Sequence, residues 1–225
     1  MKTCGLIGGM SWESSAEYYK IINEEINKKL GNLHSGKIIL YSVDFEEIAL
    51  QQKNGDWQGS AKILANAAKS LEKAGADFIM ITTNTMHKVA DYVKNSINLP
   101  LIDIRDATAE AVKKAGVDNV LLLGTKFTME DDFYVEYLKR KDLNVTVPNL
   151  EHRNFIHKVI FDELCLGITK DNSKKEFLKI INSYNVDGVI LGCTEIGLLV
   201  NQNDLNIKVF DTTPIHAKKA VELML

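Results

Sequence analysis

The chain has 225 residues, and 45% of them are hydrophobic, which suffices for a sizeable core in one large domain or two smaller ones. Its formal net charge of −3 and the lack of a basic stripe argue against proteins that bind nucleic acids or membrane surfaces. No apolar run approaches the roughly 20 residues of a membrane span, and the first apolar run is too short for a signal peptide. We therefore expect a soluble, cytoplasmic protein.

The three cysteines, Cys4, Cys165 and Cys193, show neither CxxC spacing nor a partner pair of histidines. This pattern gives no support to a zinc site, so we expect no bound metal. An odd number of cysteines indicates free thiols in a reducing compartment. Cys4, inside a predicted strand, and Cys165 are expected to be small buried hydrophobic residues.

Short apolar runs alternate with longer stretches of helical periodicity along the chain. In chain order, the predicted strands cover residues 3–7, 37–42, 78–81, 101–103, 120–123, 145–147, 188–191 and 208–210. The clearest predicted helices cover residues 14–30, 59–74 and 105–115. Capping-box spacing marks two helix starts, through Ser14 with Glu17 for the first helix and, more weakly, through Thr128 with Asp131 before a helix through Tyr137. The alternation predicts βαβ units, and the continuous apolar strands predict buried parallel sheets.

The two halves of the sequence resemble each other. Residues 74–85, AGADFIMITTNT, align without gaps with residues 184–195, YNVDGVILGCTE, and the alignment matches Thr83 with Cys193. The segment GLIGGMS similarly resembles LLLGTKF, each containing a strand that ends on glycine. This self-similarity predicts an α/β fold of two related lobes, each a mainly parallel sheet flanked by helices.

A boundary between the two predicted lobes falls near Pro100–Asp103. The last predicted strand and helix are expected to return to the first lobe. The first lobe would then comprise residues 1–100 plus 208–225, and the second lobe would comprise residues 101–207.

Four turns from a strand to a helix carry polar or glycine-rich sequences. In open parallel sheets, ligands bind beyond the carboxyl ends of the strands, so these turns are the candidate binding segments. Each offers backbone N–H groups near a helix start, where an anion such as a carboxylate is stabilised. They lie at residues 8–11, 83–85, 124–128 and 192–195.

Cys193 is the candidate catalytic residue that the sequence marks most clearly. It follows Gly192 at a strand end and precedes Thr194 at a predicted helix N-terminus. Such a position lowers the pKa of a thiol and makes the thiolate available. Glu195 is interpreted equally well as a carboxylate at the helix start or as a residue that polarises the thiol.

The segment from Thr83 to His87 allows two interpretations. Taken alone, Thr83 is best explained as a helix cap, and Asn84 and Thr85 could likewise be turn residues. If two lobes face each other, however, the same residues are brought to Cys193. His87, and His216 on the last helix, are expected to be packed or capping residues.

The ordered segments GLIGGMSWES, TTNTMHKVAD, GTKFTM and GCTEIGLL resemble the aspartate/glutamate racemase family, and within it the broad-specificity amino-acid racemases. The resemblance spans essentially the whole chain. It implies two pseudo-symmetric α/β lobes with the active site in the cleft between them. It also implies catalysis without a cofactor and a tendency to form homodimers, to which apolar faces of residues 59–74 and 86–96 could contribute.

In that family, one cysteine removes the α-proton of an amino acid and a second cysteine returns a proton from the opposite face. Cys193 stands at the place of the second cysteine, whereas Thr83 stands at the place of the first. A threonine hydroxyl is a far weaker acid than a thiol, so it donates a proton to a carbanion more readily than it abstracts one. The resemblance therefore implies an asymmetric reaction, in which the Cys193 thiolate abstracts and Thr83 reprotonates.

The resemblance also suggests residues that hold the substrate. Asn84, Thr85 and Thr194 would surround its α-carboxylate and ammonium groups, and Met10 and Gln52 would line its side-chain end. Thr125 and Thr128 are further candidates from the second lobe. No arginine occurs between residues 1 and 104 to neutralise an acidic side chain, so neutral or polar amino acids are at least as suitable as aspartate or glutamate.

Two other functions remain open. Related two-lobed enzymes that depend on a cysteine decarboxylate malonates or isomerise maleate. A protein that has lost one of the two thiols could instead bind an amino acid as a sensor. Incorporation of solvent deuterium at Cα separates these classes, because a protein that only binds gives none.

Overall fold

The computed structural model describes residues Met1 to Leu225. The chain forms two compact units, which we call unit 1 and unit 2. Unit 1 comprises Met1–Ile104 and His216–Leu225, and unit 2 comprises Arg105–Ile215. Unit 2 is therefore a continuous segment inserted between the two parts of unit 1. None of the helices combines the length and the apolar character that a membrane crossing requires.

Unit 1 is built on a four-stranded parallel sheet with the strand order β2-β1-β3-β4. Its strands are β1 (Cys4–Gly8), β2 (Ile38–Ser42), β3 (Phe78–Ile81) and β4 (Leu101–Ile102). The helices between them are α1 (Trp12–Leu30), α2 (Phe45–Asn54), α3 (Trp57–Lys73) and α4 (Ala90–Lys94), the last preceded by a 3-10 segment, Thr85–Val89. Such crossover helices are what parallel strands require.

Unit 2 repeats this arrangement with the strand order β6-β5-β7-β8, again all parallel. Its strands are β5 (Asn119–Gly124), β6 (Asn144–Thr146), β7 (Gly188–Gly192) and β8 (Lys208–Asp211). Its helices are α5 (Ile104–Lys114), α6 (Lys126–Glu130), α7 (Asp132–Lys139), α8 (Leu150–Asp162) and α9 (Asp171–Asn182). Helix α10 (Thr212–Met224) begins in unit 2 and ends in unit 1. Because β3 and β7 occupy the same place in their sheets, the internal repeat read from the sequence has a structural counterpart.

Alternating side chains of the unit 1 strands fill two cores, one on each face of the sheet. On one face, Ile7 and Ile79 pack with Leu64 of α3. On the opposite face, Leu6 and Met80 pack with α1 and α10. The period of two residues along a strand explains this division, and both faces are apolar because helices cover both. The N–H of Lys2 also donates to the carbonyl of Met224 at 2.9 Å, so the start of the chain lies beside the end of α10.

The core of unit 2 follows the same principle. Leu121 and Leu123 of β5 pack with Leu191 of β7 against helices α8 and α9, which contribute Ile156 and Phe177. Each such fully buried side chain contributes about 1.5–3 kcal/mol by its removal from water. The continuous apolar sequences of β5 and β7 thus reflect their central position in the sheet.

The expected lobe boundaries were wrong for two short strands. Residues 101–103 were placed in the second lobe, but β4 pairs with β3 in the first sheet, through Ile79 opposite Leu101. Residues 208–225 were placed in the first lobe, but β8 pairs with β7 in the second sheet, through Gly188 opposite Lys208. Each short strand completes the edge of its own sheet before the chain passes to the other unit.

Two predicted capping boxes were also wrong. Helix α1 begins at Trp12, and its cap is Ser11, whose side chain accepts a hydrogen bond from the Ser14 N–H at 3.4 Å. The helix that contains Tyr137 is α7, and its N-cap residue, Asp131, makes no side-chain hydrogen bond to the helix start. Thr128 lies instead inside α6, whose cap is Thr125, with its hydroxyl accepting from the Thr128 N–H at 3.3 Å.

Candidate active site

The turn after β1 is closed at Gly9, a position that another residue can occupy only with a shift of the backbone. Gly9 has a φ of 93°, and a Cβ atom there would lie 2.3 Å from the carbonyl oxygen of Val43. The Gly9 N–H donates to the Ser15 hydroxyl at 2.8 Å, and that hydroxyl donates to the Ser11 carbonyl at 2.9 Å. The tight turn delivers Met10, which is 4% exposed, to the carboxyl edge of the sheet.

The turn after β3 is fastened to β1 and α1 by hydroxyl groups. The Thr82 hydroxyl donates to the Ile7 carbonyl at 3.1 Å, and the Ser14 hydroxyl donates to the Thr82 carbonyl at 3.2 Å. The three following residues, Thr83, Asn84 and Thr85, are all buried. Their polar groups therefore end a buried strand at a fixed place, beside the end of β1.

Gln52 connects helix α2 with the segment that follows this turn. Its amide Nε2 donates to the sulfur of Met86 at 3.1 Å, and its side chain is buried. The neighbouring Gln51 is engaged elsewhere, because its amide oxygen accepts from the Ser60 hydroxyl at 2.8 Å. Met10 packs in the same apolar cluster as Met86. Unit 1 thus brings five predicted site residues to one edge of its sheet, and we call them the first polar cluster: Met10, Gln52, Thr83, Asn84 and Thr85.

In unit 2, two glycines allow the ends of β5 and β7 to approach closely. A Cβ atom on Gly124 would lie 2.8 Å from the carbonyl oxygen of Gly192. Thr128, which is fully buried, packs against both glycines, and its hydroxyl lies 3.3 Å from that of Thr125. The turn after β5 and the turn after β7 are therefore direct neighbours.

The turn after β7 holds a thiol, a hydroxyl and a carboxylate in direct contact. The Cys193 thiol and the Thr194 hydroxyl each donate a hydrogen bond to Oε2 of Glu195, both at 2.9 Å. All three side chains are buried. The Thr194 carbonyl accepts from the Thr213 hydroxyl at 3.4 Å, which ties the turn to the start of α10. We call the five predicted site residues of unit 2 the second polar cluster: Thr125, Thr128, Cys193, Thr194 and Glu195.

The expected lowering of the Cys193 pKa was wrong for this state of the protein. Burial, and after it the negative charge of Glu195, raises the pKa of Cys193 well above its ordinary value. The turn is followed only by a three-residue 3-10 segment, Ile196–Leu198, rather than by a long helix with a dipole that stabilises a thiolate. Cys193 therefore rests as a thiol, and Glu195 is its hydrogen-bond acceptor.

The two histidines beside the first polar cluster, His87 and His216, were expected to be packed or capping residues, and both are buried. Nδ1 of His87 lies 2.8 Å from the carbonyl oxygen of Thr83, and the ring centroid of His216 lies 6.1 Å from that of His87. The sequence could have pointed to this contact through spacing, because His87 follows Thr83 by four residues and its side chain lies under the turn. No group of three or more His, Cys, Asp or Glu side chains is arranged to hold a metal ion.

Comparison with known proteins agrees with this architecture. The sequence profile of the Asp/Glu/Hydantoin racemase family matches residues 7–220, and the chain belongs to this family. The broad-specificity amino-acid racemase RacX of Bacillus subtilis is 21% identical to the chain over 230 residues, which cover 98% of this chain and 97% of RacX.

Solved structures give a closer likeness. A protein from Yersinia pestis, described as a candidate Asp/Glu racemase, is 49% identical with a TM-score of 0.91, and the match covers 100% of this chain and 99% of that protein. An aspartate racemase homologue from Pyrococcus horikoshii is 43% identical with a TM-score of 0.87, over 100% of this chain and 99% of that protein. The expected fold class and family are thereby confirmed.

Proposed function

We propose that the protein is an amino-acid racemase that works without a cofactor, with Cys193 and Thr83 acting on opposite faces of the substrate α-carbon. Family membership supports the reaction class. The observation that carries the proposal is the 2.9 Å hydrogen bond from the Cys193 thiol to Glu195 at the end of β7. Thr83 stands at the equivalent end of β3, so each unit contributes one proton-transfer group.

Glu195 activates the thiol in this mechanism. Its carboxylate takes the Cys193 proton along the existing hydrogen bond and leaves a thiolate, as an adjacent base does for other weakly acidic nucleophiles. The environment that raises the pKa of Cys193 also makes the thiolate a stronger base. A strong base suits the abstraction of an α-hydrogen, which is very weakly acidic.

Thr83 completes the reaction by returning a proton from the other face. Its hydroxyl gives its proton to the carbanion and takes a replacement from a water molecule, while Glu195 releases the proton it received to solvent. The protons therefore balance over one turnover. Because a hydroxyl abstracts an α-hydrogen far less readily than a thiolate does, inversion is faster for the enantiomer whose hydrogen faces Cys193.

The remaining residues of the two polar clusters hold the substrate. Asn84, Thr85 and Thr194 offer hydrogen bonds to the α-carboxylate and ammonium groups. Gln52 and Met10 line the side-chain end, together with the hydroxyls of Thr125 and Thr128. Since no arginine occurs before Arg105, we propose neutral or polar amino acids as substrates rather than aspartate or glutamate alone.

The test is a panel of L-amino acids incubated in D₂O with the protein and analysed by chiral chromatography and mass spectrometry. We expect both deuterium at Cα and the opposite enantiomer from at least one substrate. Cys193→Ala should abolish exchange, whereas Cys165→Ala, a change at another thiol of unit 2, should retain it. Exchange that persists in Cys193→Ala would remove Cys193 from the mechanism.

The raised pKa of Cys193 favours one alternative, an amino-acid-binding protein whose thiol no longer ionises. Such a protein would bind members of the panel, as isothermal titration calorimetry would measure, without any deuterium at Cα. The exchange experiment therefore decides between the two functions.

A further inference from the structure

His87 lies under the turn that carries Thr83, and its two ring nitrogens have different partners. Nδ1 is 2.8 Å from the carbonyl oxygen of Thr83. A carbonyl oxygen only accepts hydrogen bonds, so Nδ1 carries a proton. Nε2 accepts the N–H of Ile104 at 3.1 Å, so it carries none. These two hydrogen bonds define a neutral imidazole with a fixed tautomer, and the Asp103 carboxylate lies 3.9 Å from Nε2, beyond hydrogen-bond distance.

His216 is held in the opposite tautomer directly beside His87. Its Nε2 lies 2.9 Å from the carbonyl oxygen of Ile102 and therefore donates, while Nδ1 accepts from the Tyr18 hydroxyl at 2.9 Å. The two imidazole rings meet edge to face, with their centroids 6.1 Å apart. Burial, and then the neighbouring His87, lowers the pKa of His216 to about 3, so the ring stays neutral under ordinary conditions.

These contacts reach both segments through which the chain passes between the two units. Ile102 and Ile104 belong to the outgoing segment, because unit 1 ends at Ile104. His216 is the first residue of the returning segment. The pair of rings thus joins three parts of the chain, namely the turn with Thr83, the outgoing segment and the returning helix α10.

We infer that His87 is a positioning residue for Thr83, and that the His87–His216 pair fixes the Thr83 turn to the two chain segments that connect the units. This inference rests on the proposed function, since it concerns the group that returns the proton. His87 does not itself transfer the proton, because each of its ring nitrogens is engaged with a backbone group. Its effect is on where the Thr83 hydroxyl stands, and small displacements of a reacting group are costly in rate.

Two substitutions separate the two contacts of His87. In His87→Asn, the side-chain amide lies at the distance of Nδ1 and retains a donor for the Thr83 carbonyl. In His87→Gln, the amide lies at the distance of Nε2 and retains an acceptor for the Ile104 N–H, but the support of Thr83 is lost. Circular dichroism and thermal unfolding are measured first, to check that both variants fold.

The decisive measurement compares two reactions at Cα in D₂O. The first is exchange of the α-hydrogen without inversion, and the second is inversion, and their ratio is the quantity of interest. Abstraction and return by Cys193 exchange the hydrogen without Thr83, whereas inversion requires Thr83. We expect His87→Gln to lower inversion by about 10- to 100-fold while exchange without inversion is retained. His87→Asn should restore most of the inversion. A merely structural role would lower both events together and leave their ratio unchanged, and that result would overturn the inference.

A measurement that needs no activity tests the contacts themselves. Nitrogen chemical shifts of the His87 ring should report a proton on Nδ1 and none on Nε2 in the wild-type protein. The Ile104 amide should exchange faster in His87→Asn than in His87→Gln. A proton on Nε2 instead of Nδ1, or equal protection of the Ile104 amide in both variants, would overturn the inferred contacts of His87. A wild-type protein that shows neither exchange nor inversion would instead refute the proposed function, and with it the role of His87 in proton return.

Discussion

The Cys193 thiol and the Thr194 hydroxyl donate to the same carboxylate oxygen of Glu195, each at 2.9 Å. One buried carboxylate therefore decides where the thiol proton resides. It opposes ionisation of Cys193 in the resting protein through its negative charge, and in the proposed mechanism it is the group that accepts the thiol proton. Removal of the charge should therefore make the thiol easier to ionise and should also remove the proposed acceptor of its proton.

Glu195→Gln should separate these effects. Loss of the negative charge lowers the pKa of Cys193, so alkylation of this thiol at a fixed pH should become faster. Loss of the proton acceptor should lower the racemisation rate by about 100-fold or more. Alkylation is followed by mass spectrometry of the Cys193 peptide, and racemisation by chiral chromatography. Glu163→Gln, which changes a carboxylate paired with Ser173 and Lys170, is the control. An active Glu195→Gln variant would show that another group takes the proton.

Substitutions of Thr83 test the asymmetry of the reaction. Thr83→Ala should lower inversion by about 100-fold, because no hydroxyl returns a proton, while exchange through Cys193 continues. Thr83→Cys should increase the rate in the slow direction, since a thiol is both a better acid and a better base than a hydroxyl. Initial rates from each enantiomer are compared with those of Thr146→Ala, at an exposed threonine of β6. Unchanged rates in both directions would exclude Thr83 from proton transfer.

Gly9→Ala should destabilise the protein. The φ of 93° alone costs a residue with a side chain roughly 1–3 kcal/mol, and the 2.3 Å approach to the Val43 carbonyl oxygen adds to it. Gly55→Ala is the control, because its φ of 73° and ψ of 13° are left-handed and no atom lies within 4 Å of the added carbon. Gly55→Ala should lower the free energy of unfolding by about 1–2 kcal/mol. Urea unfolding of the wild type and the two variants measures the loss in the free energy of unfolding. Equal losses in both variants would show that the Val43 contact is relieved at no cost.

His216 should make stability depend on pH in acid. Its pKa is about 3 in the folded chain and 6.5 as the ordinary value, so between these values the unfolded chain binds the additional proton. The free energy of unfolding should therefore fall as the pH decreases from 6.5 toward 3, by up to about 1.4 kcal/mol per pH unit from this group. His216→Gln should reduce the slope, while His34→Gln, at an exposed histidine, should not. Urea unfolding at several pH values measures both, and an unchanged slope in His216→Gln would exclude this origin.

The sequence predicted all eight strands to within a residue or two at each end, because buried parallel strands leave continuous apolar runs. It did not predict which sheet the short strands join. A run such as Leu101–Ile102 is compatible with either sheet, and the choice depends on contacts far apart in sequence. Helix starts were misplaced for a similar reason, since the cap of α1 is set by the turn at Gly9 rather than by the apolar periodicity.

For the candidate site, the sequence identified the strand ends and their polar residues but not their electrostatics. A strand end followed by a helix predicts an acidic thiol, but the segment after Cys193 is a short 3-10 turn. The orientation of the Glu195 side chain toward Cys193 is a property of the packed structure. The partners of His87 are equally non-local, because Ile104 lies on the segment that leaves unit 1.

The insertion of unit 2 within unit 1 sets an order for synthesis on the ribosome. Ala217, Ala220 and Val221 of α10 belong to the core that contains Leu6 and Tyr18, yet they are translated after the whole of unit 2. All residues of unit 2 are therefore synthesised before the part of α10 that belongs to unit 1. The nascent chain can therefore acquire its thiol turn early, whereas the imidazole support beneath Thr83 can only assemble once the returning helix has left the exit tunnel.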